Sequence, residues 1–482
     1  MVGFSKDAMN IERMTINNDI PMKVIPTITS AIVDHTLQFL DIRKLDNYLS
    51  TGSYLNNPKK QAPIRVDCSA STSIRDNQIL QAVHEICPDL FPNQDKYISI
   101  KALGGGLSNY LYTVTSKVSP YPCVLVRIHV GHEEDNRFVN REIENQMMAW
   151  LSSQTKQRLS PKYYGRFLNG RVEEFYKGYV PLSCHDMDSD VFGPLIAKKL
   201  AELHRQNVPN GICQTDVKNP SQVWDRVDGW FQLVKDLCSS DPNQMNQEKL
   251  NALNVNTNMI NEWTWVKKTL TSHPKMSKDD SIFFNVGDTK TSLHTVRSMA
   301  LYFSRQIVFA HMDGQSLNIL HHPEQKGEKH VRLIDFEYSG HNSRAMDISN
   351  TFCEHCDSNN LCPQYELEYP SIAKQTRFLN SYLDGIFTEN GISMNDNKME
   401  IIKEWKGFSS SDDGKARWEM FVEELRKDVC RFSLISHIGW SIWSVAQAFI
   451  SPIEFDYLEY ARLRMVGYYW AKKKFFGLGP ME

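Results

Sequence analysis

The chain has no apolar run approaching the ~18 residues that span a bilayer, which excludes an ordinary transmembrane helix. It also has little net charge, −3 at pH 7, and so lacks the basic footprint of a nucleic-acid binder. Its ten cysteines follow no paired framework and no secretory signal opens the sequence, so reduced thiols and a cytoplasmic location are expected. Cys353, Cys356 and Cys362 cluster, but the second pair that a four-ligand zinc site needs is missing. No GxGxxG spacing occurs among the glycines that follow the first strong strand signal. What remains is an ordinary globular composition, 41% hydrophobic and 23% charged. At 482 residues the chain is too long for one small core, and two or three lobes are expected.

The most informative segment is His311 to Leu320, HMDGQSLNIL, followed by Val331 to Phe336, VRLIDF. It places Asp313, Asn318 and Asp335 on one short hairpin. Phosphoryl transfer from ATP uses such a set: one carboxylate orients the attacking hydroxyl, while an amide and a second carboxylate hold Mg²⁺ against the phosphates. His-x-Asp-x-x-x-x-Asn is the catalytic-loop spacing of protein kinases, with Met312 where arginine is usual. The bland alternative is a helix cap at Asp313 and a turn at Asp335.

Upstream, residues 1–70 read as a poorly ordered or loosely docked extension. Residues 71–178 read as a nucleotide-binding lobe. Ile79, Val83 and Ile86 share a helix face that Pro88 ends. Two alternating runs, Tyr97 to Leu103 and Tyr110 to Val114, flank Gly104-Gly105-Gly106-Leu107-Ser108-Asn109. Glycines let the backbone approach a phosphate, and Ser108 and Asn109 can donate to it; the alternative is an ordinary hairpin. Arg127 sits in the apolar strand Pro122 to Val130. A cation there needs a partner, expected on the helix from about Asn140 to Leu151, where Glu144 is favoured over Glu142. Asn169-Gly170 signals a type I′ hairpin turn. Glu173-Glu174-Phe175 then leaves the sheet as a hinge whose backbone reads adenine. Residues 179–482 read as a helical second lobe.

At this point several segments carry a resemblance. GGGLSNYLY, VLVRIHV, SPKYYGRF, VFAHMDGQSLNIL, VRLIDFEYSGHNSRAMDISNTFCE and WSIWSVAQAFISPIEFDYLEYA resemble the choline/ethanolamine kinase family, in family order, over about residues 98 to 465. The resemblance implies an α+β, protein-kinase-like two-lobed fold with a small antiparallel sheet lobe and a large helical lobe. It implies ATP-dependent phosphorylation of choline to phosphocholine, the first step of the CDP-choline route to phosphatidylcholine, with ATP and Mg²⁺ as cofactors. By position Asp313 resembles the catalytic aspartate, Asn318 and Asp335 the magnesium ligands, and Arg127 an ATP-contacting arginine. Met312 departs from the family's usual asparagine or cysteine, and His341, Ser343 and Thr351 also replace commoner residues. Family members often form dimers, so a homodimer is an expectation.

The substrate reading rests on aromatics. Trp440 and Trp443 are three apart on one helix face, with Tyr457 and Tyr460 on the next helix. A quaternary ammonium has no hydrogen to donate and is held by aromatic faces with a carboxylate nearby. Tyr338 and Glu354 follow the catalytic hairpin and are placed to complete the wall. The resemblance aligns Glu354, Trp440, Trp443 and Tyr460 with choline-site residues, whereas tryptophans at helical spacing taken alone are usually core. Alternatives are ethanolamine or dual specificity, a nucleotide-binding pseudokinase, and another small-molecule kinase such as an aminoglycoside phosphotransferase.

Overall fold

β-Branched residues alternate in the amino-terminal part, and strands form there. The computed structural model describes residues 61–92, 97–104, 109–118, 122–129, 139–154, 159–209, 212, 221–240, 251, 258–271, 293–324, 327, 329–356, 363–388 and 396–479. A six-stranded sheet runs β1 (Gln61–Ala62), β5 (Tyr163–Phe167), β6 (Gly170–Glu174), β4 (Cys123–His129), β3 (Asn109–Ser116), β2 (Ile98–Leu103). All its pairings are antiparallel except β1 with β5. Helix α1 (Thr72–Ile86) covers one face with Ile79, Ala82 and Val83, and these pack with Val114, Val124, Val126 and Val172 into a closed core.

Two expectations are corrected here. Residues 61–66 are not loosely docked. β1 adds a strand, and Ala62, Ile64 and Val66 are buried in the core. Asn169 fixes them, since its side chain accepts from Val66 N at 2.9 Å and donates to Val66 O at 2.8 Å. Residues 1–60 lie outside the described residues. The β5–β6 hairpin forms where expected, but its loop is Leu168–Asn169 and neither Asn169 nor Gly170 has a positive φ, so it is not a primed turn. Glycine is required at 170 for space: a Cβ would sit 2.2 Å from the Arg127 carbonyl oxygen.

After β6 the chain crosses through β7 (Val180–Pro181), which pairs with β9 (Ile319–His321); β9 in turn pairs with β10 (Val331–Leu333). A second ribbon pairs β8 (Ile307–Ala310) with β11 (Gly340–Ser343). The amphipathic stretch Val296 to Phe309 is helical only as far as Arg305, and the β-branched and aromatic residues after it belong to β8. The helices are α2 (Arg141–Ser153), α3 (Phe192–His204), α4 (Gln222–Ser240), α5 (Ile260–Thr271), α6 (Leu293–Arg305), α7 (Arg344–Cys353), α8 (Ile372–Ile386), α9 (Asn397–Gly407), α10 (Asp412–Arg431), α11 (Ser433–Ile450) and α12 (Tyr457–Phe476). Helix α7 is buried along its whole length. It packs among β8, α10 and α11, which places its side chains under the loop between β8 and β9. Among the described residues no helix is long and apolar enough to cross a membrane.

Candidate active site

The loop from His311 to Asn318 is anchored by β8 before it and β9 after it. Asp347 of α7 holds it from within the core. Its carboxylate accepts the backbone N–H of His311 at 2.8 Å and of Met312 at 2.7 Å. His204 Nε2 lies 2.8 Å from the same carboxylate, and His204 Nδ1 lies 2.5 Å from Tyr382 Oη. Met312 is thereby kept at φ +68°, a left-handed conformation rare for a residue with a long side chain. The turn sends Asp313 inward. Asn318 Nδ2 donates to Asp313 Oδ2 at 2.7 Å, and Gln315 Nε2 reaches both carboxylate oxygens at 3.3 Å. Burial, and then the negative charges of Asp335 and Glu354, push the Asp313 pKa well above the ordinary carboxylate range.

Asp335 follows β10 and is also left-handed, at φ +64°. Arg127 Nη1 contacts its two oxygens at 3.2 and 3.3 Å. Burial raises the Asp335 pKa to about 6, with Arg127 opposing the shift and Glu337 adding to it. Carboxylate oxygens of Glu144, Asp335 and Glu337 lie within 4.8 Å of one another. They are hard oxygen donors of the kind a divalent cation such as Mg²⁺ takes.

The expected Arg127–Glu144 pair does not form. Arg127 and Arg171 are cross-strand neighbours on β4 and β6. Arg171 is fully buried and takes Glu144 at 2.5 Å and Glu173 at 2.6 Å. Arg127 contacts Asp335 and, at 3.6 Å, Glu173. Burial alone would raise the Glu144 pKa, but Arg171 and Arg141 hold it below the usual carboxylate range. Arg141 also bridges the lobes, donating to Glu144 at 2.8 Å and to Glu337 at 2.6 Å. Glu173 therefore belongs to this ionic cluster within β6 and not to the hinge. The backbone leaves the sheet at Phe175, where Lys177 N donates to Phe175 O at 2.8 Å. Asn109 opens β3 and reaches across to Glu337 Oε2 at 3.3 Å. Ser108 lies outside the described residues.

The aromatic residues do converge. Tyr338 meets Trp440 edge-on at 5.1 Å between ring centroids, and Trp440 meets Trp443 at 5.5 Å. Trp443 Nε1 donates to Tyr338 Oη at 2.8 Å. Trp230 of α4 adds a third tryptophan, 6.3 Å from both Tyr338 and Trp440. Tyr338, Trp440 and Trp230, with Met312 and Asn350, line a cavity of only about 20 Å³. That is room for about one water and not for a trimethylammonium group. A cleft of about 570 Å³ opens elsewhere against the catalytic loop, bordered by Gln315, Glu354, Cys184, His185, Asp188 and Glu368. Its size suits a small-molecule pocket. Glu354 is held there by Arg464 Nη1 at 2.8 Å, and the Arg464 guanidinium lies 5.9 Å from the Tyr460 ring centre.

Sequence reasoning missed Glu337, Arg141, Arg171, Asp347, Trp230, Asn350 and Arg464. Two of these carried a usable signal. Glu337 is a second carboxylate two residues beyond Asp335, and Arg171 is a second cation among strand residues. The others depend on which helices pack together, which periodicity does not state.

Comparison with known proteins identifies the family. The sequence model of the choline/ethanolamine kinase family matches residues 100–469. The chain is 27% identical to a probable ethanolamine kinase A of Dictyostelium discoideum over 81% of this chain and 90% of that one. It is 26% identical to a probable choline kinase 2 of Arabidopsis thaliana over 82% and 91% of the two chains. A choline kinase structure from Cryptosporidium parvum shares the fold with a TM-score of 0.58 at 24% identity, over 83% of this chain and 96% of that one. The matched span takes in Glu144, Asp313, Asn318, Asp335 and Glu337, and the chain belongs to the choline/ethanolamine kinase family.

Proposed function

We propose that the protein transfers the γ-phosphoryl group of ATP to the hydroxyl of choline, giving phosphocholine, and that it also accepts ethanolamine. The observation that carries this reading is the 2.7 Å contact between Asp313 and Asn318, set beside the carboxylates of Asp335, Glu337 and Glu144. Asn318, Asp335 and Glu337 are the residues that would hold Mg²⁺, which when bound neutralises phosphate charge as it shifts in the transition state.

The remaining work falls to the protein's own side chains. The amine enters through the cleft beside Gln315 and Glu354. Its hydroxyl donates to Asp313, whose raised pKa suits it to take the proton as the new O–P bond forms. Gln315 and Asn318 fix the rotamer of that carboxylate. Arg127 offers its charge to the phosphates and keeps Glu173 as its second partner. The cation head meets the Glu354 carboxylate on the cleft; Tyr338 and Trp440 face the neighbouring small cavity, which must widen before their π-faces can take methylated nitrogen. Ethanolamine is supported as a second substrate by Glu354 and Glu368 on the cleft, because a primary ammonium wants hydrogen-bond acceptors.

This reading puts the reaction at the entry to the CDP-choline route, in the cytoplasm. The described cysteines are all free thiols, which agrees with a reducing compartment. A homodimer is part of the same reading, and sedimentation of the purified chain checks it. The test of activity is a screen with ATP and Mg²⁺ that scores phosphorylation of choline, ethanolamine and the methylated intermediates. Turnover of choline is the expected result, and no product from any of these amines would overturn the reading.

A further inference from the structure

Three helices each bring a pair of side chains, four residues apart, to one buried spot: Asn350 with Glu354 at the end of α7, Ser436 with Trp440 on α11, and Tyr460 with Arg464 on α12. The polar atoms of all but Tyr460 form an unbroken chain. Trp440 Nε1 donates to Asn350 Oδ1 at 2.9 Å. Ser436 Oγ donates to the same oxygen at 2.8 Å. Arg464 Nη2 donates to Ser436 Oγ at 2.9 Å, and Arg464 Nη1 donates to Glu354 Oε1 at 2.8 Å. Asn350, Ser436 and Arg464 are each at most 2% exposed.

We infer that Asn350, Ser436 and Arg464 are positioning residues that couple the Trp440 ring to the Glu354 carboxylate, so that charge recognition and ring recognition of the amine act as one unit. The inference rests on the amine-kinase reading above. Its physical basis is that the three central members are buried and each donates or accepts within the chain. A buried guanidinium keeps its carboxylate because an unpaired charge there is costly. With one arm on Glu354, its other arm fixes the Ser436 oxygen. That leaves the serine proton for Asn350, and Asn350 Oδ1 in turn sets the rotation of the Trp440 indole. A ligand ammonium that draws Glu354 toward the cleft must pull on Arg464, loosen Ser436 and release the indole. The amines affected are those whose positive nitrogen needs both a carboxylate and an aromatic face.

The test is a double-mutant cycle on the KM for choline with Glu354→Gln and Trp440→Phe, measured once in the native background and once with Ser436→Ala. Side chains not in contact should act additively. The coupling predicts that the double variant departs from the product of the single effects by at least about threefold, that Ser436→Ala removes this departure, and that the KM for ATP stays constant throughout. A second reading does not depend on catalysis. The Trp440 indole N–H resonance, identified by its loss in Trp440→Phe, should move in Ser436→Ala, Arg464→Lys and Glu354→Gln. Additive effects in the native background, a departure that survives Ser436→Ala, or an unmoved indole resonance in Glu354→Gln would overturn the coupling. If the native protein phosphorylates no amine, the functional reading fails while the resonance still decides the coupling.

Discussion

The backbone N–H of Met312 lies 2.7 Å from Asp347 Oδ1, and this bond holds a buried methionine in a left-handed conformation one residue before the candidate catalytic carboxylate. The other carboxylate oxygen takes His311 N–H and His204. An amide in place of this carboxylate offers one acceptor where two are used. Asp347→Asn should therefore let the loop relax and displace Asp313. A misplacement of about 1 Å can cost about 10²-fold, so kcat should fall by roughly that factor while KM for ATP changes little. Steady-state kinetics check this, and a kcat within about twofold of native contradicts it.

Trp443 is buried, and its indole N–H donates to Tyr338 Oη. Truncation to alanine would open a large core cavity, so the informative change is Trp443→Phe. Losing that one hydrogen bond is worth about 1 kcal/mol, or roughly fivefold. KM for choline should rise by about that factor with KM for ATP unchanged. An equal change in both constants would place Trp443 in the general core.

Arg171 carries the charge of two buried carboxylates, Glu144 and Glu173. Arg171→Met keeps much of the volume and leaves both acids short of a cation. Removing one partner from such a buried group costs about 3–5 kcal/mol. Denaturant unfolding should show a loss of that size, and a change below about 1 kcal/mol would show that Arg127 and Arg141 compensate.

Stability should also depend on pH in a defined direction. His437 is fully buried, neither ring nitrogen has a hydrogen-bond partner among the described residues, and burial first, then Arg464, hold its pKa well below 6.5. His204 and His311 are lowered too, chiefly by burial. In the unfolded chain these groups titrate near pH 6.5. Below that pH the unfolded state binds protons that the folded state does not. The stability present above about pH 6.5 is therefore lost as pH falls. Asp313 and Asp335, raised by burial, take up protons in the folded state and act in the opposite sense, so the comparison with His437→Leu decides: between about pH 7 and pH 5.5 the native midpoint should fall relative to that variant's. Parallel profiles would contradict the assignment.

The two-lobed architecture was legible because period-two and period-3.6 patterning changes near Pro181, and Asp313, Asn318 and Asp335 were legible because their spacing is fixed by one hairpin. What escaped was the pairing of charges and rings across elements. Arg127 was expected to reach Glu144, yet its cross-strand neighbour Arg171 stands nearer and takes that carboxylate. Glu173 read as hinge because two glutamates end a strand, yet the pleat points it inward to two arginines. Trp440 and Trp443 read correctly as one face, but Trp230 enters from α4, far away in sequence.

The central claim is that Asp313 accepts a hydrogen bond from the amine's hydroxyl beside the carboxylates of Glu144, Asp335 and Glu337. Its most direct test is product formation from ATP, Mg²⁺ and choline by the native chain and by Asp313→Asn, with ATP binding measured on both. The native chain should yield phosphocholine, and the variant should bind ATP yet lose at least about 10³-fold in kcat. Near-native turnover by the variant would contradict the account.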